Sequence, residues 1–80
     1  MREEIFEKIV TYINDIIGEV GIIKEEDSLK DLGANSIDRA EIIIGVIREL
    51  ELRINLMEFG NCRNIAGIIN VIMLEMEKKV

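Results

Sequence analysis

The chain has 80 residues, of which 49% are hydrophobic but only 4% aromatic, and its formal net charge is −6. This length suffices for one small domain, residues 1–80, with an aliphatic core, and the composition excludes a disordered tail. Without a basic tract the chain is not expected to bind nucleic acid, and without histidine it lacks Ser-His-Asp triads, Cys-His pairs and histidine-containing metal sites, so we expect no enzymatic activity.

The first predicted element is an amphipathic helix from Arg2 to about Ile17. Its apolar residues recur at the i, i+3, i+4, i+7 spacing of a helix that is buried on one face. They are Ile5, Phe6, Ile9, Val10, Ile13, Ile16 and Ile17. Gly18 or Gly21 can end this helix.

Residues 18–35 predict a long loop, because they combine three of the six glycines with mixed charge. Five apolar side chains are expected to pin this loop to the core: Val20, Ile22, Ile23, Leu29 and Leu32. Four acidic residues of the loop lie close together in sequence: Glu25, Glu26, Asp27 and Asp31. They lack the alternating spacing and the bidentate glutamate of a calcium-binding EF-hand loop, so we predict no metal site.

A second helix is predicted from Ser36, as its N-cap, to about Leu50 or Glu51. Its apolar residues spread over about 220° of the helical wheel, which is wider than the stripe of about 100° that a surface helix buries. They are Ile37, Ala40, Ile42, Ile43, Ile44, Val46, Ile47 and Leu50. Either this helix is central and covered on most sides, or the edge formed by Ile37, Ala40 and Ile44 faces a partner.

The remaining residues predict one short helical turn around Leu56–Phe59 and a last helix from about Asn64 to Lys78. The stripe of the last helix is Ile65, Ile68, Ile69, Ile72 and Met76, and Lys78 and Lys79 lie near the negative end of its dipole. No Asn-Gly type turn joins two isoleucine-rich runs into a hairpin. We therefore predict an all-α bundle of four helices, three long and one short.

The lone cysteine and the absence of long apolar runs indicate the compartment. Cys62 can form no intramolecular disulfide, and without a histidine base we assign it no function. The first ten residues lack the pattern of a secretion signal, and no apolar run approaches the ~20 residues that span a bilayer. These features predict a soluble, cytoplasmic protein, and we expect a monomer.

The chain has two serines, and their surroundings differ. Ser28 is followed so soon by Gly33 that no helix of useful length can start there, so it is interpreted as a loop or turn hydroxyl. Ser36 precedes a long helix, where the first backbone N–H groups and the helix dipole favour an anion attached to its oxygen. That position would suit a phosphodiester, although a plain capping serine is the simpler alternative.

The segment "LKDLGANSIDRAEIIIGVIREL" resembles the Asp-Leu-Gly-Ala-Asp-Ser-Leu-Asp motif and following helix of acyl carrier proteins. The resemblance extends to the order of elements over the whole chain. It implies that Ser36 is esterified by 4′-phosphopantetheine, added by a phosphopantetheinyl transferase, and that the arm carries acyl groups as thioesters between enzymes. Asn35 departs from the aspartate that usually precedes this serine, which bears on recognition by the transferase.

The stretch "GANSIDRAEI" is most similar to the discrete carriers of polyketide gene clusters that donate acetyl for β-branching. This resemblance implies three further partners: an acyltransferase, a decarboxylating ketosynthase-like enzyme and a hydroxymethylglutaryl-synthase-like enzyme. The residues expected to face them are Ile37, Asp38, Arg39, Ala40, Glu41 and Ile44. Two alternatives stay open: a fatty-acid or peptidyl carrier, and a purely structural helical interaction domain.

Overall fold

A computed structural model describes residues 1–78, in which four helices and no strands are present. The helices are α1 (Arg2–Ile16), α2 (Ser36–Glu49), a short 3-10 helix (Leu56–Phe59) and α3 (Ile65–Lys78). The all-α fold with three long helices and one short one is therefore confirmed. Lys79, which the sequence placed near the end of the last helix, lies outside the described residues.

The core is built mainly from isoleucine, at the positions that the helical period predicted. The buried members on the three long helices are Ile5, Ile9, Ile13, Ile42, Ile43, Val46, Ile47, Ile65, Ile68, Ile69 and Ile72. Burying one such side chain stabilises the fold by about 1.5–3 kcal/mol, so the stripes hold the helices together. None of the helices in residues 1–78 combines the length and apolar character needed to cross a membrane.

Helices α1 and α2 approach each other closely at Gly45. A β-carbon at this position would collide with the ring of Tyr12. One turn further along α2, interaction with the Glu49 carboxylate raises the pKa of the Tyr12 phenol, and the phenol lowers the pKa of Glu49. Lys8 lies on the same side, with its Nζ 3.4 Å from Glu49 Oε1. The absence of a side chain at Gly45 thus allows the Tyr12 ring to lie against α2 and its hydroxyl to reach Glu49.

The long loop between α1 and α2 is fastened to the start of α3. The backbone N–H groups of Ile65 and Ala66 donate to the carbonyl oxygens of Asp27 and Glu25, each at 2.9 Å. These two N–H groups belong to the first turn of α3, where backbone N–H groups have no acceptor within their own helix. The loop therefore completes the N-terminus of α3 through backbone atoms alone.

A side-chain contact adds a second link between the loop and the helices. The Arg2 guanidinium donates from Nη2 and Nε to Glu25 Oε1, at 2.7 and 3.0 Å, and from Nη1 to Asn70 Oδ1 at 2.8 Å. One residue of α1 therefore joins the loop and α3.

Four of the five apolar loop residues pack as the sequence predicted. Leu29 is buried, and Val20, Ile23 and Leu32 pack against the core in partly buried positions. The prediction for Ile22 was wrong, because its side chain is 86% exposed. It follows Gly21, whose φ of +87° turns the chain, and the neighbouring Ile23 takes the position facing the core.

Candidate functional site

Ser36 is the first residue of α2, and its side chain is exposed. The prediction that Ser36 caps the helix was wrong, because Asn35 is the N-cap, with the extended backbone that a cap requires. Asn35 Oδ1 accepts a hydrogen bond from the Asp38 N–H at 2.7 Å, and the Asn35 N–H donates to Asp38 Oδ2 at 3.3 Å. This reciprocal pair is a capping box, which frees Ser36 from the capping role.

The Ser36 hydroxyl makes no hydrogen bond to any residue in the described part of the chain. Likewise, the backbone N–H groups of Ser36 and Ile37 have no acceptor among residues 1–78. Unused N–H groups at the positive end of a helix dipole favour a negatively charged group, such as a phosphate ester. The free hydroxyl and the two free donors therefore fit a phosphodiester on the Ser36 oxygen.

The turn that precedes Ser36 is held in place by Ala34, which is buried. The Ala34 N–H donates to the Leu29 carbonyl at 3.0 Å, and Arg39 Nη1 donates to the Ala34 carbonyl at 2.9 Å. Gly33 has a φ of +106°, a value that favours glycine, and so permits the chain to turn into this position. Arg39 thus folds back over the start of its own helix, and its role at a partner surface stays a prediction.

The other predicted partner residues lie on one side of α2, at the i, i+3, i+4, i+7 spacing. Ile37 is 68% exposed and Glu41 is exposed, whereas Ala40 and Ile44 are half-buried. The bundle therefore leaves the edge formed by Ile37, Ala40 and Ile44 partly uncovered, and contact of this edge with a partner stays a prediction. Asp38, the remaining predicted residue, already uses its carboxylate in the capping box.

Two apolar residues of the short helix are exposed, which the sequence did not predict. Leu56 and Met57 are 40% and 83% exposed on the 3-10 helix, which packs against α2 and α3. Asn55 caps this helix by accepting the Met57 N–H at 2.9 Å. No sequence signal distinguishes this pair from buried apolar residues, since consecutive residues such as Ile42 and Ile43 are both buried on α2.

A cavity of about 450 Å³ opens beside α2, between the long loop, the 3-10 helix and the start of α3. Ser28 lines it, and its Oγ accepts the Asp31 N–H at 2.9 Å, which is the local role predicted for this hydroxyl. Cys62 also lines it, and partial burial raises the pKa of its thiol. A raised pKa leaves less thiolate at neutral pH, so Cys62 is a poor nucleophile.

Comparison with known proteins agrees with this geometry. The family model described as a phosphopantetheine attachment site matches residues 7–72. A polyketide biosynthesis acyl carrier protein, AcpK of Bacillus subtilis (strain 168), is 37% identical over 73 residues, which are 89% of each chain. An acyl carrier protein of Trieres chinensis is 30% identical over 80 residues, covering 98% of this chain and 100% of the relative.

One solved structure extends the comparison to three dimensions. A chain in the crystal structure of the HMG synthase of the curacin biosynthetic pathway, in complex with an acetyl donor acyl carrier protein, superposes with a TM-score of 0.81. The match covers 90% of this chain and 95% of that one, at 32% sequence identity.

The chain belongs to the phosphopantetheine-attachment family, whose model spans most of its length, and within that family it is an acyl carrier protein. Its prosthetic group is 4′-phosphopantetheine. The free hydroxyl and N–H donors at the start of α2 fit the phosphate ester of this group.

Proposed function

We propose that Ser36 carries the 4′-phosphopantetheine arm and that the protein donates acetyl units for polyketide β-branching. The observation that carries the first part is the position of Ser36, whose exposed hydroxyl lies beside two unused N–H groups. Ser28 lacks this setting, because its oxygen already accepts a hydrogen bond within the loop. The likeness to a polyketide carrier and to the curacin HMG synthase complex supports the second part.

The residues around Ser36 hold the attachment point and do no chemistry on the acyl group. When bound, the prosthetic group supplies a terminal thiol that holds acyl groups as thioesters. The Ser36 oxygen would form the ester, and the N–H groups of Ser36 and Ile37 would be available to its phosphate charge. The Asn35–Asp38 capping box keeps this first turn rigid, so the arm is presented from a fixed point. The protein is thus a carrier, and its partners supply catalysis.

The proposed partners form a short sequence of steps. A phosphopantetheinyl transferase attaches the arm, an acyltransferase loads malonyl, a ketosynthase-like enzyme decarboxylates it, and a hydroxymethylglutaryl-synthase-like enzyme accepts the resulting acetyl. The surface proposed to dock them is the apolar edge Ile37, Ala40 and Ile44, together with the exposed carboxylate of Glu41. The acidic surface favours enzymes whose docking faces are basic.

The test is acetyl transfer to one synthase, measured side by side for this carrier and for an ordinary fatty-acid carrier. Mass spectrometry after treatment with transferase and coenzyme A should first show the arm on the wild type and on Ser28→Ala, but not on Ser36→Ala. The cognate carrier should then transfer acetyl faster, and Ile44→Ala should slow the transfer without preventing attachment of the arm. Equal rates for the two carriers would leave a general acyl carrier and refute the β-branching role.

A further inference from the structure

One peptide unit, between Ala34 and Asn35, leads the chain from the long loop into α2. Both of its polar groups are held by side chains from the start of that helix. The Asn35 N–H donates to Asp38 Oδ2 at 3.3 Å. The Ala34 carbonyl accepts a hydrogen bond from Arg39 Nη1 at 2.9 Å. Since Asp38 and Arg39 are consecutive, two neighbouring residues fix the orientation of this peptide unit.

The Ala34 carbonyl has no donor other than Arg39 among residues 1–78. In a continuous helix its donor would be the N–H group four residues later, at Asp38. That N–H group instead donates to Asn35 Oδ1 at 2.7 Å, as part of the capping box. Because Ala34 is buried, an unpaired carbonyl there would cost free energy, and the guanidinium of Arg39 removes this cost.

The stability of α2 alone does not account for a cation at position 39. The positive end of the helix dipole lies at the start of α2, where a cation is unfavourable. Arg39 forms none of the ion pairs of residues 1–78, whose cations are Arg2, Lys8 and Lys78. Its bond to the Ala34 carbonyl is the one hydrogen bond that its side chain makes to the described residues. A charged donor makes such a bond stronger than a neutral donor would.

The held peptide unit lies directly before the residue that precedes Ser36. On its other side it is tied to the core, because the Ala34 N–H donates to the Leu29 carbonyl at 3.0 Å and both residues are buried. Rotation of this peptide unit would change the direction in which the chain enters α2, and with it the position of Ser36 relative to the loop. Attachment of a group requires its acceptor oxygen at a defined point, and a displacement of about 1 Å can lower a rate on the order of 100-fold.

We propose that Arg39 is a positioning residue for attachment of the arm: by holding the Ala34 carbonyl, it fixes where the Ser36 oxygen is presented to the transferase. The inference rests on the proposed function, because it requires the arm to be attached at Ser36. Arg39 acts through the backbone of its own chain, and neither the transferase nor the arm has to contact it.

A measurement on the protein alone tests whether Arg39 holds the peptide unit. Amide hydrogen exchange of the full-length chain, followed by NMR, reports how often the N–H groups of Asn35 and Asp38 lose their partners. Arg39→Met should raise both exchange rates about tenfold, because the peptide unit is then held at one end only. Arg48→Met is the matched control, since it removes the same charge from an exposed position of α2, about 18 Å along the helix axis from Ser36, and it should leave both rates unchanged.

The kinetics of attachment test the consequence for Ser36. Transfer of the arm from coenzyme A by a phosphopantetheinyl transferase is measured over a range of carrier concentrations. Arg39→Met should lower kcat about tenfold and leave KM within about twofold, because docking is retained while the Ser36 oxygen is misplaced. Arg39→Lys keeps a cationic donor and disturbs the helix less, so its kcat should lie between those of the wild type and Arg39→Met. Arg48→Met should match the wild type.

A variant at the other end of the peptide unit links the two measurements. Asp38→Ala removes the acceptor of the Asn35 N–H. If Asp38 and Arg39 act on the same peptide unit, the combined variant should lose much less in kcat than the product of the two single losses. Two independent contacts with the transferase would instead give that product.

The outcomes separate this inference from the proposed function. Exchange rates and kcat equal to those of the wild type in Arg39→Met would overturn the inference. A raised KM with unchanged kcat would make Arg39 a contact of the transferase, and multiplicative losses in the combined variant would point the same way, so either result overturns it as well. Circular dichroism checks that each variant is folded at the assay temperature. Failure of the wild type to take up the arm at Ser36 would overturn the proposed function, while hydrogen exchange would still report whether Arg39 holds the peptide unit.

Discussion

A single side-chain amide fixes the start of α2. The Asn35 oxygen accepts the Asp38 N–H, and the Asp38 carboxylate returns a bond to the Asn35 N–H. An aspartate at position 35 could accept the same hydrogen bond, so the departure from the family motif preserves the cap while removing one negative charge beside Ser36. Asn35 thus caps the helix, whereas Ser36 is the residue proposed to carry the arm.

This separation predicts different stabilities for two neighbouring variants. Asn35→Ala should lower the free energy of unfolding by about 1 kcal/mol, because the Asp38 N–H loses its acceptor. Ser36→Ala should change it by less than about 0.5 kcal/mol, since its exposed hydroxyl has no partner among the described residues. Urea denaturation monitored by circular dichroism measures both. A larger loss for Ser36→Ala would restore the capping role to the serine.

The sequence predicted that the second helix begins at Ser36 but placed the N-cap one residue too late. Asparagine and serine are about equally good N-caps, so local preference does not decide between positions 35 and 36. The spacing from Asn35 to Asp38 was the informative signal, because a capping box joins residues three apart. The cavity was beyond prediction, since its lining residues come from four separate segments of the chain that only the folded structure brings together.

The three long helices could be predicted from hydrophobic periodicity, because each of them buries one stripe of isoleucine side chains. The short turn at Leu56–Phe59 was also predicted correctly, between two segments with clear periods. Ile22 was the exception, because a loop has no fixed period and its apolar residues do not reveal which side they face. Nor did the sequence indicate which glycine permits close packing of two helices, which depends on the facing residue, Tyr12.

Two glycines inside helices should respond oppositely to alanine. Gly45→Ala should destabilise the protein by about 1–2 kcal/mol, because the new methyl group displaces the Tyr12 ring and this cost exceeds the gain in helix propensity. Gly67→Ala should stabilise it by about 0.5–1 kcal/mol, because its β-carbon would meet Cys62 at 3.4 Å, an ordinary contact. Thermal unfolding of the two variants tests this. Stabilisation by Gly45→Ala would show that α1 and α2 are not close-packed there.

For the whole molecule, the interaction between Tyr12 and Glu49 makes the free energy of unfolding depend on pH. The hydrogen bond from Tyr12 lowers the pKa of Glu49 below its ordinary value of 4.5, and the same bond raises the pKa of Tyr12 above its ordinary value of 10.0. A carboxyl group whose pKa is lowered by folding stabilises the protein at pH values above its pKa in the unfolded chain. This contribution is lost as the pH falls through its pKa in the folded protein. A phenol whose pKa is raised by folding stabilises the protein at pH values below its pKa in the unfolded chain. This contribution is lost as the pH rises through its pKa in the folded protein.

Tyr12→Phe should therefore flatten the dependence of stability on pH at both ends. The difference in unfolding free energy between the wild type and this variant should be constant between pH 5 and 9, within the window set by the two ordinary values, and should shrink below about 4.5 and above about 10. Denaturant titrations across this range measure it. Glu41→Gln is the control, because this exposed carboxylate has no partner among residues 1–78 and its removal should leave the profile unchanged.

The bonds from the loop to α3 have a consequence for how this sequence can change. The N–H groups of Ile65 and Ala66 are satisfied by the backbone carbonyls of Asp27 and Glu25, so these two hydrogen bonds do not depend on which side chains those loop residues carry. Replacements on the exposed side of the loop, at Glu26 for example, leave these bonds intact. An insertion or deletion between Gly21 and Leu29, in contrast, would displace the carbonyls from the helix. The loop is therefore constrained in length, whereas an exposed position such as Glu26 tolerates replacement. Its buried residue Leu29, and Glu25, which pairs with Arg2, do not share this tolerance.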